Sequence, residues 1–278
     1  MDRLDAFNTI AAQASRGELA FPANVDASIK LQRALMDPDC HADVATRLIQ
    51  ADPLLAARTV AIANSVAYNR SGTEISSVRS AVQRLGVRTL QSLVAAVLVR
   101  QIGSRVADPV LQDYITRLWE HTAHTAALAQ VIARRVTHVD PDTALFAGIV
   151  HEVGAFYLLS RAQDFPGIMD GEPAEWIDHG EVEIGRGVLA KLMVPEPVMD
   201  AVAAMWGGMR ALPPENLGDT LLLADDLAPV PSPMHTRPGA TTAQAARTID
   251  FAIGDGTFDA ILRESADEVA SLYAVLIL

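Results

Sequence analysis

The chain of 278 residues carries 34 acidic against 22 basic side chains, a net charge of −12. That balance excludes the broadly basic surface that non-specific nucleic-acid binding requires, and a single cysteine, Cys40, excludes an intramolecular disulfide or a cysteine-rich metal site. Half of the residues are hydrophobic and only 5% aromatic, the composition of a folded, helix-rich protein with ample material for a core.

The start, Met1-Asp2-Arg3-Leu4-Asp5, lacks the apolar centre of a signal peptide. The longest apolar runs, residues 93–99 and 272–278, are too short to span a bilayer. A cytoplasmic protein with no membrane partner is therefore expected. Residues 1–19 supply an N-terminal helix. Four Asp-Pro pairs follow, at 37–38, 52–53, 108–109 and 140–141. Each reads as a helix start, because the carboxylate accepts orphan N–H groups and proline has none to lose. After Asp52 and Pro53 the helical period holds to Ala63, and Asn64-Ser65 ends it with side chains that bond nearby backbone. Ser76-Ser77 starts the next helix, which turns Val78, Ala81, Val82 and Leu85 inward and stops at Gly86. Further helices follow over 89–101 and from 108 to about 135. Arg84, Arg88, Arg100 and Arg105 read as solvated helix faces. Residues 144–159 are apolar all round, the pattern of a fully buried helix, with His151-Glu152 at its centre. Pro229, Pro231, Pro233 and Pro238 make residues 228–241 an exposed loop. A last helix over 258–278 places Ile261, Leu262, Val269, Leu272, Val275 and Leu276 on its apolar positions; it packs on the N-terminal helix near Phe7 and Ile10, or joins the loop in recruiting a partner. No strand alternation of useful length occurs. The fold class is all-α.

Three blocks carry a family resemblance. They are Asp52-Pro53-Leu54-Leu55, Asn64-Ser65-Val66-Ala67-Tyr68, and the segment from Ile75 through Ser77 and Ala81 to Leu85-Gly86. In this order and spacing the chain resembles the HDOD domain, known by a DP-x-L helix, an N-S-x-x-Y turn and an I-x-S-x-x-x-A-(I/V)-x-x-L-G helix. Leu118-Trp119-Glu120-His121, the 148–154 segment, Gly185-Arg186-Gly187-Val188-Leu189 and Val194-Pro195 extend the likeness over roughly residues 20–228. The resemblance implies a two-lobed helical bundle over 20–227. Its N-terminal HDOD helices, 20–105, pack on an HD-like bundle, 106–227; the helical extension expected over 242–278 lies outside the resemblance. Asp52, Pro53, Asn64, Ser65, Leu85 and Gly86 are then architectural. A regulatory role in bacterial signalling is implied, with signalling proteins, or a second copy in a homodimer, as partners.

HD phosphohydrolases hold a divalent metal with a His, a His-Asp pair and a later Asp. By motif match these positions are His121, His151, Glu152 and Asp225, so a glutamate stands where the family has aspartate. A buried imidazole and carboxylate leave water at a cost that a metal or hydrogen-bond partners must offset, and such donors suit one divalent ion. Other departures argue against catalysis. Ala155 stands where phosphodiesterases carry a lysine, and Glu181 and Met205-Trp206 where binuclear relatives carry histidines. The expected agents of charge neutralisation and water activation are thus missing. His124 reads as an ordinary polar contact, and His41, His138, His179 and His235 show no ligand spacing. The expectation is a non-catalytic regulatory domain that binds proteins or a small ligand and needs no cofactor, with at most one divalent ion at the degenerate site. The alternatives are a mononuclear HD-type phosphohydrolase acting on a nucleotide or cyclic dinucleotide, and a self-associating scaffold.

Overall fold

The computed structural model describes residues 2–171, 173–208, 211, 213–235 and 257–277. Among them there is no strand. Helices α1 (Arg3–Ser15), α2 (Ala23–Met36), α3 (Ala42–Gln50), α4 (Pro53–Asn64) and α5 (Val78–Gly103) lead into α6 (Pro109–Ile132), which runs on as a π-helical turn. Then come α7 (Pro141–Val150), α8 (Val153–Arg161), the short α9 (Pro173–Trp176), α10 (Val182–Lys191), α11 (Glu196–Gly207) and α12 (Leu217–Leu227). Helices α13 (Thr257–Glu264) and α14 (Ala266–Ile277) close the chain.

Three of the four Asp-Pro pairs start helices. Asp52 accepts from the amides of Leu54 and Leu55, Asp108 from those of Val110 and Leu111, and Asp140 from that of Thr143. The fourth does not. Asp37 ends α2 instead, and its carboxylate turns onto the amide of Asp39. The chain turns at Pro38-Asp39, with the amide of Cys40 on the carbonyl of Asp37, and α3 starts only at Ala42. Gly86 interrupts α5 with φ 74° and ψ 168°, a conformation that favours glycine. The expected stop is thus real, but the helix resumes at once rather than at residue 89.

Asn64 acts further away than expected. Its side-chain amide donates to the carbonyl of Ile75 and accepts from the amide of the same residue, at 2.7 and 2.8 Å. Ser65 does not act as expected: its hydroxyl is buried without a partner. Two of the arginines expected to be solvated instead tie elements together through backbone. Arg84 donates to the carbonyls of Ala63 and Thr73, and Arg100 to that of Ile277. Arg88 pairs with Asp140, and Arg105 is exposed.

Helices α2 to α5 share one core around Leu35, Ile49, Leu55, Ile62, Val82 and Leu85. The second, larger core surrounds Leu118, Phe156, Leu189 and Leu222, and the later turns of α5 enter it through Leu98 and Ile102. Helix α5 therefore joins the two cores. Helix α1 packs on α10 and adds Phe7 and Ile10 to the second core. The terminal helix is not one helix but two, broken at Ser265, and α14 packs on α6 and α4 rather than on α1. Leu272, Val275 and Leu276 are buried there, which removes the apolar run from the exposed surface.

Helices α6 and α7 approach each other closely at Gly148. A Cβ on that residue would lie 2.5 Å from the Cα of Ala126, so only glycine lets these two backbones meet. Two stretches, 78–103 and 141–161, are apolar and long enough to cross a membrane by length and composition, but 67% and 89% of their most apolar windows are buried inside the protein.

Candidate metal centre

The apolar run expected to form one helix breaks at its centre. Helix α7 ends at Val150, His151 caps it, and Glu152 adopts φ −106° and ψ 20°, outside the helical region, before α8 starts at Val153. The break turns both side chains of the His-Glu pair toward α6, where His121 lies. Their exposures are 2% for His121, 7% for His151 and 5% for Glu152.

Each imidazole is oriented by a backbone carbonyl. His121 Nδ1 lies 2.8 Å from the carbonyl of Val230, and His151 Nδ1 lies 2.7 Å from that of Gly148. A carbonyl accepts only, so Nδ1 carries the proton in each ring and Nε2 is the atom left for the centre. The two Nε2 atoms are 3.4 Å apart. Oε2 of Glu152 lies 3.8 and 3.9 Å from them, and Oδ1 of Asp225 lies 3.0 Å from His121 Nε2 and 3.9 Å from His151 Nε2. Two donors bound tetrahedrally to one Zn-sized ion sit ~3.4 Å apart. The donor atoms of His121, His151 and Glu152 all fall within 4.8 Å of one another. Glu152 Oε2 is moreover fully buried with no hydrogen-bond partner. Outer carbonyls that fix the tautomer and an orphan oxygen facing two imidazoles fit a divalent cation.

The other oxygen of Glu152 is engaged. Oε1 accepts from the hydroxyl of Ser232 at 2.6 Å and lies 2.8 Å from Nδ1 of His235. Nε2 of His235 in turn meets Oε1 of Glu181. These contacts overturn two expectations. Residues 228–241 were to be an exposed loop, yet Ala228, Ser232 and Met234 are buried and the segment crosses the centre as a strap; 236–241 lie outside the described residues. His235, expected outside the site, is part of it. The sequence held only part of the signal: Pro229, Pro231 and Pro233 rule out a continued helix, and the segment after α12 bends and turns across the pocket that Asp225 helps to form.

Charge is distributed in a definite way. Burial works against charging His235, but its hydrogen bonds to Glu152 and Glu181 raise its pKa to about 10. Burial opposes ionisation of Glu152 too, yet His121, His235 and His151 lower its pKa to about 2. Burial disfavours the His121 cation, and Glu152 and Asp225 more than offset it, so its pKa is raised. His151 goes the other way: burial lowers it, Glu152 opposes, and the neighbouring His121 lowers it further. The two Nε2 atoms thus face the same two carboxylates, with Asp225 Oδ1 the nearest partner of His121.

The remaining expected positions lie as follows. Ala155 is buried on α8, and Glu181 faces His235. Trp206 does not fill the centre. Its ring lies over Gly185, where a Cβ would sit 2.7 Å away, and beneath Arg186. His124 stacks on Tyr273 of α14 with centroids 3.9 Å apart. Asp52, Pro53, Leu85 and Gly86 occupy caps, a core position and a helix break, remote in role from the centre.

The sequence profile of the HDOD domain matches residues 21–202. The chain belongs to the HDOD family. An uncharacterised protein of Treponema pallidum (strain Nichols) is 25% identical over 195 residues, 63% of this chain but 35% of that protein. The chain thus spans about a third of that relative. Among solved structures, a Shewanella amazonensis SB2B protein named "putative metal-dependent phosphohydrolase" superposes with a TM-score of 0.73 at 19% identity, over 99% of this chain and 100% of that one. An HDOD domain protein of unknown function from Geobacter sulfurreducens gives 0.62 at 20%, covering 98% and 97%. A Marinobacter aquaeolei VT8 protein named "putative signal transduction protein" gives 0.62 at 19%, covering 99% of this chain and 66% of that one. At such identities the likeness is one of fold.

Proposed function

We propose that this HDOD protein is a non-catalytic regulatory module that acts on signalling proteins by binding. In this reading its histidine centre is a clasp that holds the strap to the HD-like lobe. The observation that carries the reading is the seat of Ser232 and His235 on Glu152 Oε1. A catalytic ion keeps one position open to water and substrate. Here the approach on the Glu152 side is taken by the chain itself, and no cation stands at position 155 to meet a phosphate. His121 Nε2, His151 Nε2, Glu152 Oε2 and Asp225 Oδ1 would hold a divalent ion. Such an ion supplies Lewis acidity in an open site, and in a closed one it supplies the strap's anchorage. Met205 and Trp206, which stand where binuclear relatives carry imidazoles, offer no ligands for a second ion.

A second reading has its own support. The orphan Glu152 Oε2 and the paired imidazoles favour a mononuclear phosphohydrolase whose strap swings away from a nucleotide substrate. One experiment separates the two. Purified protein is assayed for bound metal by mass spectrometry, loaded with Mn or Zn, and screened for phosphate release from nucleotides and cyclic dinucleotides. The regulatory reading expects no turnover, with or without bound metal. Hydrolysis that His151→Ala abolishes replaces it with the enzyme reading.

A further inference from the structure

A cavity of about 460 Å³ opens between α4, α5, α6, α8 and the end of α14, and none of the side chains of the histidine centre lines it. Its size falls within the usual range for small-molecule sites. Leu54, Val97, Ile115 and Phe156 supply apolar walls. Against them stand two guanidinium groups, those of Arg58 and Arg100.

Arg58 is unusual in its surroundings. It is only 7% exposed, no hydrogen bond or ion pair among the described residues engages it, and its Nε is shut off from solvent without an acceptor there. Arg100 gives one hydrogen bond to the carbonyl of Ile277 and lies over the ring of Trp119, 5.7 Å from its centroid. Trp119 itself is 5% exposed, and its indole N–H also has no acceptor. Guanidinium cannot shed its proton to escape the cost of burial. Burial lowers the pKa of both arginines, the charge of Arg100 lowers that of Arg58 further, and Asp52 compensates only in part. Two like charges therefore line one largely apolar hollow, and beside it Arg58 Nε and the Trp119 indole N–H are buried donors without acceptors. Unsatisfied buried donors of this kind call for an explanation, and a missing acceptor is the direct one.

We propose that this cavity binds a small organic anion, a single carboxylate or phosphate group on an apolar body, with Arg58 and Arg100 holding the anionic group. Guanidinium forks match both acids in geometry. Leu54, Val97, Ile115 and Phe156 cover the body. Glu120 at the wall cuts the net positive charge of the lining to one, which selects against polyanions such as nucleoside triphosphates. Helix α4 belongs to the first core, α6 and α8 to the second, and α5 runs through both, so the ligand would sit where the two lobes meet. This inference is independent of the histidine centre and stands or falls apart from it.

Calorimetric titration of the full chain tests it with four probes: 1-naphthoate, decanoate, phenylphosphonate and the uncharged 1-naphthalenemethanol. The acids distinguish carboxylate from phosphate recognition and aromatic from aliphatic bodies. At least one acid is expected to bind one-to-one with Kd below about 1 mM, and the alcohol about tenfold or more weakly. Arg58→Met keeps volume and removes charge. It should weaken the acid by about tenfold or more while the ligand-free melting temperature stays level or rises, which an arginine kept for structure would not allow. Equal binding of acid and alcohol, full binding by R58M, or no binding of any acid overturns the proposal. Should R58M fail to fold, the comparison of acids with the alcohol on the unmodified protein decides alone.

Discussion

Nδ1 of His235 lies 2.8 Å from Oε1 of Glu152, a residue 83 positions earlier in the chain. The same ring meets Glu181 through its other nitrogen, so one side chain of the strap closes two buried carboxylates at once. Neither carboxylate has another cation in contact through these oxygens. His235→Ala leaves Glu181 without its imidazole and Glu152 with only the more distant His121 and His151, and the expected loss is about 3–5 kcal/mol. Ser232→Ala removes one neutral donor and should cost about 1–3 kcal/mol. Urea titration of both variants checks the order. Equal and small losses would show that the strap is seated by its apolar residues alone.

His151→Ala removes one imidazole from the centre and leaves the carbonyl of Gly148 without its donor. The expected cost is about 1–3 kcal/mol. If the protein carries a metal as isolated, the same variant should also lose it, and the two losses are read separately by mass spectrometry and by denaturation of metal-free protein.

Gly148 sets the spacing of the helices that carry His121 and that end in His151. A Cβ there meets the backbone of Ala126, which cannot rotate away. Gly148→Ala should therefore cost about 3 kcal/mol and move the two imidazoles apart. Its melting temperature, compared with that of Gly207→Ala, where a Cβ meets nothing within 4 Å, isolates the close approach from the general effect of the substitution.

Leu85 and Val82 are 5% and 1% exposed in the first core. Leu85→Ala should cost about 2–5 kcal/mol, and Val82→Ala about 1–3 kcal/mol. Values near zero in urea titration would place this face in solvent.

Asp140 gives an acid-sensitive contribution. Partial burial opposes its ionisation, but the hydroxyl and amide of Thr143 and the guanidinium of Arg88 lower its pKa below the ordinary value. A carboxylate whose pKa is depressed by folding stabilises the protein above its unfolded pKa, about 3.9, and that stability is lost as pH falls through the folded value. Asp140→Asn keeps a capping oxygen and removes the charge. The gap in stability between the two proteins should be constant above about pH 5 and shrink in acid. A gap that does not change with pH would show that the charge contributes nothing.

The fold was legible because its signals are local. Asp52 and Asp108 cap within three residues, Gly86 reverses the backbone where it stands, and helical periodicity does not depend on distant partners. The His151-Glu152 pair was legible as a motif, but its setting was not. A uniformly apolar run hides the break between α7 and α8, since every residue there is buried whether the helix continues or not. The strap was misread for a related reason. Proline rules out a continued helix but does not say whether the backbone there meets water or a pocket. His235 and Glu181 come together only because α10 and the strap flank the same centre, a relation that no spacing in the sequence encodes. Asp37-Pro38 does not start a helix: its carboxylate takes the amide of Asp39, but not the next one that Asp52 and Asp108 also hold, and the amide of Cys40 closes a turn on the carbonyl of Asp37.

The amide of Asn64 grips both the N–H and the C=O of Ile75, so one side chain does the work of a neighbouring strand. The ten residues between the two are closed at their base, and 70–74 at the tip are exposed. Apart from the hydrogen bond of Arg84 to the carbonyl of Thr73, nothing in that tip is tied to α4 or α5 by the clamp itself. The loop is thus the place where this chain can be lengthened, shortened or opened into new termini with both helices kept in register, provided that Asn64 and the Arg84 contact to Thr73 remain. Exchange Asn64 for a residue that can only donate or only accept, and the same loop becomes a hinge through which any change of length reaches the first core.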